Sequence, residues 1–237
     1  MKRVAIVQSN YIPWKGYFDL INAVDEFILF DDVQYTRRDW RNRNKIKTAQ
    51  GVQWLTIPVE VKGKYSQKIN ETVVSDLDWK RSHLEAIRHN YARAPYFAHY
   101  KTWLEVLYGG CATHSLSHIN HRFICAICEQ LNIHTQIRWS SDYTIVEGKN
   151  ERLISLCQQA GANVYLSGPA ARDYMDLSVW QQAGIEVKFA QYDGYAEYRQ
   201  LHPPFDHFVS VLDLLLNEGP HAVNYLLTNA SKVQFAN

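Results

Sequence analysis

Asp31 and Asp32 stand side by side after an apolar run, and a polar cluster, Asn42-Arg43-Asn44-Lys45, follows soon behind them. Adjacent carboxylates can hold a divalent metal, orient a sugar hydroxyl or take up a proton. Aspartate is also an ordinary turn residue, so one of the two, not both, is expected to carry chemistry. Gln34 and Tyr35 lie beside them. In the second cluster Arg43 offers a guanidinium fork and Lys45 a point charge, which between paired amides suit a phosphate or a carboxylate. A solvated basic turn would have the same composition. A third set comes earlier: Gln8, Asn10, Tyr11, Trp14, Lys15 and Gly16 combine amides, aromatic rings and one cation on a short stretch. Such groups suit a sugar or a nucleobase, although Pro13 and Gly16 also fit simple turn geometry. The fourth set is Ser167-Gly168-Pro169. Gly168 permits a ligand to approach the backbone. The flanking LSGPA lacks the G-x-S-x-G elbow, so Ser167 reads as a binding residue, not a nucleophile.

Two further clusters lie on helical patterns. Ser210, Asp213 and Asn217 form one polar stripe on the apolar run VSVLDLLLNEG, which implies a buried hydrogen-bonded network, structural or ligand-facing. His114, His118, His121, Cys125 and Cys128 also share a helical face. One straight helix cannot wrap four ligands around a tetrahedral ion; His118 and His121 could supply two at most, and no metal site is expected.

The surrounding elements must position these groups. An apolar run at 4–7, a helical spacing of Tyr17, Phe18, Leu20, Ile21 and Val24, and a second apolar run at 27–30 form a βαβ unit. In parallel sheets ligands bind past the carboxyl ends of the strands, where residues 8–16 and 31–32 fall. A strand is expected at 54–61, at an edge or terminus because Pro58 cannot donate to a ladder, and a shorter one at 69–74. Helices follow at 79–92, with Asp78 as N-cap, at 97–108, ended by Gly109-Gly110, and at 115–131. The α/β alternation then resumes: strands at 135–139, 163–166 and 185–190, helices at 150–159 and 177–183 closed by Gly161 and Gly184, a Tyr- and Pro-rich loop at 192–204, and helices at 206–217 and 221–227. The expected fold is α/β, a Rossmann-like open, mostly parallel sheet in a single domain over 1–237, with a helical insert or cap at about 79–131.

At 237 residues the chain can bury a sizeable core. Its net charge of +1 argues against a nucleic-acid or acidic-membrane partner. No apolar run approaches a membrane span, the N-terminal apolar run is shorter than a signal peptide requires, and the 4 cysteines are too sparse for a disulfide scaffold. A soluble, cytoplasmic protein is expected.

The stretches QSNYIPWKGYFDLI (8–21), FDDVQYTRRDWRNRNKIK (30–47), WLTIPV (54–59), ERLISLCQQAGANVYLSG (151–168) and VSVLDLLLNEG (209–219) together resemble the WbqC-like family over nearly the whole chain. Ser9 stands where that family usually has proline, and Val209 where leucine is commoner. Gln8, Tyr11, Pro13, Trp14, Gly16, Asp31, Asn42, Arg43, Asn44, Ser167, Gly168 and Asp213 match its motif positions. The resemblance implies a role in O-antigen or other surface-polysaccharide biosynthesis, with glycine transfer proposed for relatives, and supplies no catalytic residue. The loop at 8–16 also resembles in layout the P-x-x-x-G-H loop of adenylyl- and cytidylyltransferases, but Tyr17 follows Gly16, and Lys15 is the cation present.

The resulting expectation is a transferase moving an aminoacyl or acyl group onto the amine of a nucleotide-linked amino sugar. Asp31 or Asp32 would act as base, Arg43 and Lys45 would hold a diphosphate or oxyanion, and Tyr11 and Trp14 would stack on sugar or base. The remaining binding candidates are Gln8, Asn10, Lys15, Gly16, Gln34, Asn42, Asn44, Ser167, Gly168 and Asp213. The sequence names no cofactor; ATP enters only in a variant that activates the amino acid. The alternative is a non-catalytic sugar-nucleotide or glycan-binding accessory protein.

Overall fold

Each strand of the first βαβ unit is apolar on both sides, because helices cover both faces of the sheet it joins. The computed structural model describes residues 1–173, 175–228 and 235–236. Strands β1 (Arg3–Val7) and β2 (Glu26–Leu29) pair in parallel and are joined by helix α1 (Lys15–Asn22). An antiparallel hairpin, β3 (Arg43–Thr48) and β4 (Gly51–Thr56), comes next. Helices α2 (Trp79–Tyr91), α3 (Phe97–Gly109) and α4 (Leu116–Gln130) then lead to β5 (Gln136–Trp139), which pairs in parallel with β2. Helix α5 (Asn150–Gln159), β6 (Val164–Ser167), α6 (Leu177–Gln182), β7 (Glu186–Ala190) and α7 (Val211–Glu218) follow, with a short β8 (Phe235–Ala236) antiparallel to β7. The sheet order is β5-β2-β1-β6-β7-β8, with its first five strands parallel.

Alternation along the strands divides the buried side chains between two cores. Val4, Ile6, Ile28 and Tyr165 face α5 and α6, where Leu156 and Trp180 are fully buried. Ala5, Phe27, Leu29 and Leu166 face the opposite way, into a larger core built by α1, α2, α3, α4, α7 and the hairpin. Helices α2–α4 therefore share a core with β1 and β2 through Phe18, Trp79, Tyr108 and Phe123.

The helices and parallel strands lie close to where the sequence places them, and α5 and α6 end at Gly161 and Gly184 with φ of +68° and +72°, the left-handed turn glycine supplies. Five expectations are corrected. Residues 42–45, read as a solvated basic turn or an anion-binding loop, belong largely to β3: pairing with β4 and burial of Ile46 override the poor strand propensity of Arg, Asn and Lys. The strand expected at 54–61 is β4, which ends at Thr56 before Pro58 and joins the hairpin instead of the main sheet. Residues 69–74 make only isolated bridges. Helix α7 starts at Val211, capped by the Ser210 hydroxyl accepting from Leu212 N–H, and a 3-10 helix covers Gly219–Tyr225. Asp78 is not a side-chain cap for α2; it pairs with Arg81 at 3.7 Å.

A polar chain crosses the larger core. The Tyr11 hydroxyl lies 2.9 Å from His83 Nδ1 and 2.7 Å from the Tyr108 hydroxyl, and His83 Nε2 lies 3.2 Å from the Thr56 carbonyl. Burial pushes the His83 pKa down from 6.5 to about 4, against the pull of the Thr56 carbonyl. The fold therefore holds the neutral ring, while the unfolded chain takes up the proton first as pH falls. This stabilises the fold above pH 6.5, and the contribution is lost between about 6.5 and about 4. His83→Gln should flatten the decline of the urea midpoint over that window relative to the parent protein; an identical decline in both would contradict a buried neutral imidazole.

Candidate functional site

The register of the parallel strands sets where side chains leave the sheet. Val7 lies beside Leu29, and Leu29 beside Trp139, so Gln8, Phe30 and Ser140 emerge next to one another. On the other side of β1 lies β6, which ends in Ser167 followed by Gly168. The order reverses between β1 and β6, a topological switch point of the kind at which open α/β sheets bind ligands. A β-carbon added to Gly168 would meet nothing within 4 Å.

Asp31 sits just past β2 and is 1% exposed. Its Oδ1 accepts the Ser9 N–H at 2.8 Å and its Oδ2 accepts the Ser117 hydroxyl from α4. Burial pushes its carboxyl above the ordinary aspartate value, while those two hydrogen bonds and nearby Arg41 pull the other way. Asn120, one turn along α4, donates to the Ser9 hydroxyl at 3.0 Å and to the Arg41 carbonyl at 2.8 Å. Arg41 reaches back over the end of β1: it donates to Asn10 Oδ1 and, at 3.3 Å, to Gln8 Oε1, and it pairs with Asp39 at 3.7 Å. The Tyr17 hydroxyl donates to the Gln8 carbonyl at 3.1 Å. Gln8, Asn10 and Asp31 thus converge, with Arg41 at their centre.

Asp32 turns toward the other core. Its Oδ1 accepts the Ser140 hydroxyl at 2.5 Å, and its Oδ2 pairs with Arg152 of α5 at 3.7 Å. Arg152 Nε also donates to the Val146 carbonyl at 3.0 Å. A cavity of about 460 Å³ opens beside it, lined by Phe30, Lys149, Asn150, Arg152 and Met175 among others.

The other candidates are placed elsewhere. Tyr11 is fully buried in the helical core, with its hydroxyl satisfied there. Asn44 donates to the Tyr11 and Ile12 carbonyls at 3.1 and 3.0 Å. Those bonds hold Ile12 at φ +35°, a conformation costly for a β-branched residue. Asn42 accepts the Tyr35 hydroxyl at 2.9 Å and donates to the Ile57 carbonyl at 2.8 Å. Arg43 stacks 4.2 Å over Trp54, Lys45 pairs with Asp206 at 3.5 Å, and Gln34 donates to the Tyr65 carbonyl at 2.9 Å. Trp14, Lys15 and Gly16 face the 192–208 loop: Trp14 packs on Tyr192 and Phe208, with ring centroids at 5.1 and 5.3 Å. The Lys15 ammonium lies over the rings of Tyr195, Tyr198 and Phe205, and its pKa is lowered to about 8, chiefly by burial. Asp213 is fully buried and accepts the Tyr91 and Tyr198 hydroxyls, each at 2.7 Å, while Asn217 Oδ1 accepts the Leu201 N–H at 3.1 Å. Burial raises the Asp213 pKa against those two bonds.

Arg41, Ser117, Asn120, Ser140 and Arg152 were not among the sequence candidates. Arg41 and Arg152 lay inside the quoted stretches, but only the folded register shows which strand ends they reach. His121 stacks on Trp139 with centroids 4.9 Å apart, and its imidazole lies 3.5 Å from the Cys125 sulfur. Among the described residues, no three His, Cys, Asp or Glu side chains are grouped to hold a metal ion.

The family model described as the WbqC-like protein family matches residues 8–225. The uncharacterized protein Rv1507c of Mycobacterium tuberculosis is 53% identical over 226 residues, which cover 95% of this chain and 98% of that relative. No solved structure matches. No helix among the described residues is long and apolar enough to cross a membrane.

Gly16 is required by a close approach: an added β-carbon would fall 2.3 Å from the Trp14 ring, itself held between Tyr192 and Phe208. Gly16→Ala should cost about 1–3 kcal/mol, the usual range for overpacking, and change the near-ultraviolet circular dichroism of the aromatic cluster. An unchanged spectrum and midpoint would show that Trp14 yields freely.

Proposed function

The chain belongs to the WbqC-like protein family, and from that premise we propose that it is a transferase of surface-polysaccharide biosynthesis. Its substrate is a nucleotide-linked amino sugar, bound at the carboxyl ends of β1, β2, β5 and β6, whose amine receives an acyl or aminoacyl group. The observation that carries this reading is the pair of guanidiniums held at adjacent strand ends, Arg41 on Gln8 and Asn10 and Arg152 on Asp32. Arginine forks fixed in this way suit the oxygens of a diphosphate. The cavity beside Phe30 and Arg152, about 460 Å³, has the size of a small-molecule site.

Transfer requires the amine nitrogen to attack the donor's carbonyl carbon. The C–N bond forms, the bond to the leaving group breaks with its electron pair, and the amine loses a proton. Asp32 is the carboxylate assigned to take that proton. Both Asp31 oxygens accept close hydrogen bonds from protein groups, whereas among the described residues Asp32 Oδ2 has only the 3.7 Å ion pair and keeps its lone pairs. Asp31 then positions the loop that presents Gln8 and Asn10. Arg41 or Arg152 supplies positive charge for the developing oxyanion.

The engagement of both carboxylates by protein partners also favours a second reading, a sugar-nucleotide-binding accessory protein without turnover. The two are separated by incubating the protein with UDP- and dTDP-linked amino sugars and acyl or aminoacyl donors, and following substrate mass. Arg41→Gln and Arg152→Gln should each weaken nucleotide-sugar binding about 10–100-fold, as expected for loss of a charged hydrogen bond. Asp32→Asn should keep binding and abolish the mass gain. Binding without any mass gain in the parent protein would favour the accessory reading, and no binding of either sugar nucleotide would overturn the site.

A further inference from the structure

The hairpin presents two faces of opposite character. Its inner face carries Asn44, Ile46 and Leu55, all buried. Its outer face carries Trp54, paired across the ladder with Lys45, and it adjoins Trp40 just before β3. Trp40 and Trp54 are 39% and 41% exposed, with ring centroids 5.4 Å apart and planes tilted by 36°. Exposed indoles together on a small sheet are poor economy unless they meet a partner. The Arg43 guanidinium lies 4.2 Å over Trp54 and donates to the Arg38 carbonyl, while its Nε–H is buried with no partner among the described residues. The surrounding segment is strongly basic: Arg37, Arg38, Arg41, Arg43, Lys45 and Lys47 against Asp39 alone, in a chain of net charge +1.

We propose that this outer face binds an anionic saccharide chain. The C–H face of a pyranose meets the negative face of an indole ring favourably, which accounts for the paired rings. A carboxylate on the sugar would meet the arginine stacked on the same platform. Much of the charge is turned elsewhere: Arg37 to the Val61 carbonyl, Arg41 to Gln8 and Asn10, Lys45 to Asp206 and Lys47 to the Pro204 carbonyl, which leaves Arg43 and the exposed Arg38. Two guanidiniums, one of them stacked beside the paired rings, match a polymer with a charge on some of its sugars better than a nucleic acid, whose affinity grows with the number of phosphates neutralised. The inference stands apart from the strand-end site, since it uses none of the residues assigned there.

The test is a tryptophan-fluorescence titration of the full chain with hyaluronan and alginate oligosaccharides, with neutral dextran oligomers and with single-stranded oligothymidylate. The uronate oligosaccharides should bind and dextran should not. Trp54→Ala and Trp40→Ala should each raise the dissociation constant at least tenfold. Arg43→Lys, which keeps the charge but loses the stacked plane, should weaken binding less than Arg43→Gln. Arg41→Gln should leave this binding unchanged. Circular dichroism confirms that each variant is folded, and Trp40 provides the second variant if Trp54→Ala does not fold. Failure of both uronate oligosaccharides to bind would overturn the proposal. So would binding that ignores the tryptophans, equal binding of dextran, or tighter binding of oligothymidylate through the same residues.

Discussion

The structure depends on a carboxylate that water scarcely reaches. Asp31 is buried where β2 leaves the sheet, and an unpaired charge there would be expensive. It is offset by a main-chain N–H from the loop after β1 and a hydroxyl from α4. Two segments distant in sequence are thereby fixed to one strand end. From Ser9 the network runs through Asn120 to the Arg41 main chain, and the Arg41 side chain returns to Gln8 and Asn10. The charged group facing the switch point is thus held by the same contacts that satisfy the buried carboxylate. Partial loss of such a network costs more than its pairwise count suggests, because each buried polar atom left behind keeps its desolvation cost.

A second buried carboxylate performs the same service for the other side of the larger core. Asp213 gathers hydroxyls from α2 and from the 192–208 loop, and Asp19 of α1 accepts from Tyr195 and from the Leu227 and Thr228 N–H groups. The loop after β1 lies between these anchors: its first residues face Arg41, and Trp14 and Lys15 face the aromatic loop. Strain at Ile12 falls at the point where the chain passes from one environment to the other, and the two Asn44 bonds hold it there. The hairpin is therefore a clamp on its inner face, while its outer face leaves Trp54 exposed beside Trp40.

Much of this architecture was legible in the sequence. Apolar runs bounded by polar loops located the parallel strands, and 3.6-residue spacing with terminal glycines located α3, α5 and α6. The pattern failed where tertiary pairing overrode composition. Asn42-Arg43-Asn44-Lys45 looks like a polar turn because alternate residues face a buried clamp and a wet surface, and both kinds are polar. Tyr11 looks like a ligand-stacking residue on a loop, yet the helices of a segment some seventy positions later bury it. Arg41 and Arg152 carry no local signal of their own; strand order and register make them neighbours of Gln8 and Asp32. The sequence stripe at Ser210, Asp213 and Asn217 did announce a buried network, since a lone carboxylate among leucines must be paired.

The central claim is that ligand binds at the carboxyl ends of β1, β2, β5 and β6. The most direct measurement is hydrogen–deuterium exchange of the full chain with and without a saturating UDP- or dTDP-linked amino sugar, since binding slows local opening at the site it occupies. Slowed exchange should concentrate in peptides covering 8–12, 30–34, 139–143 and 167–171, together with the start of α5. Protection confined to the α2–α3 face, or to α6 and the start of β7, with binding shown independently, would contradict the claim.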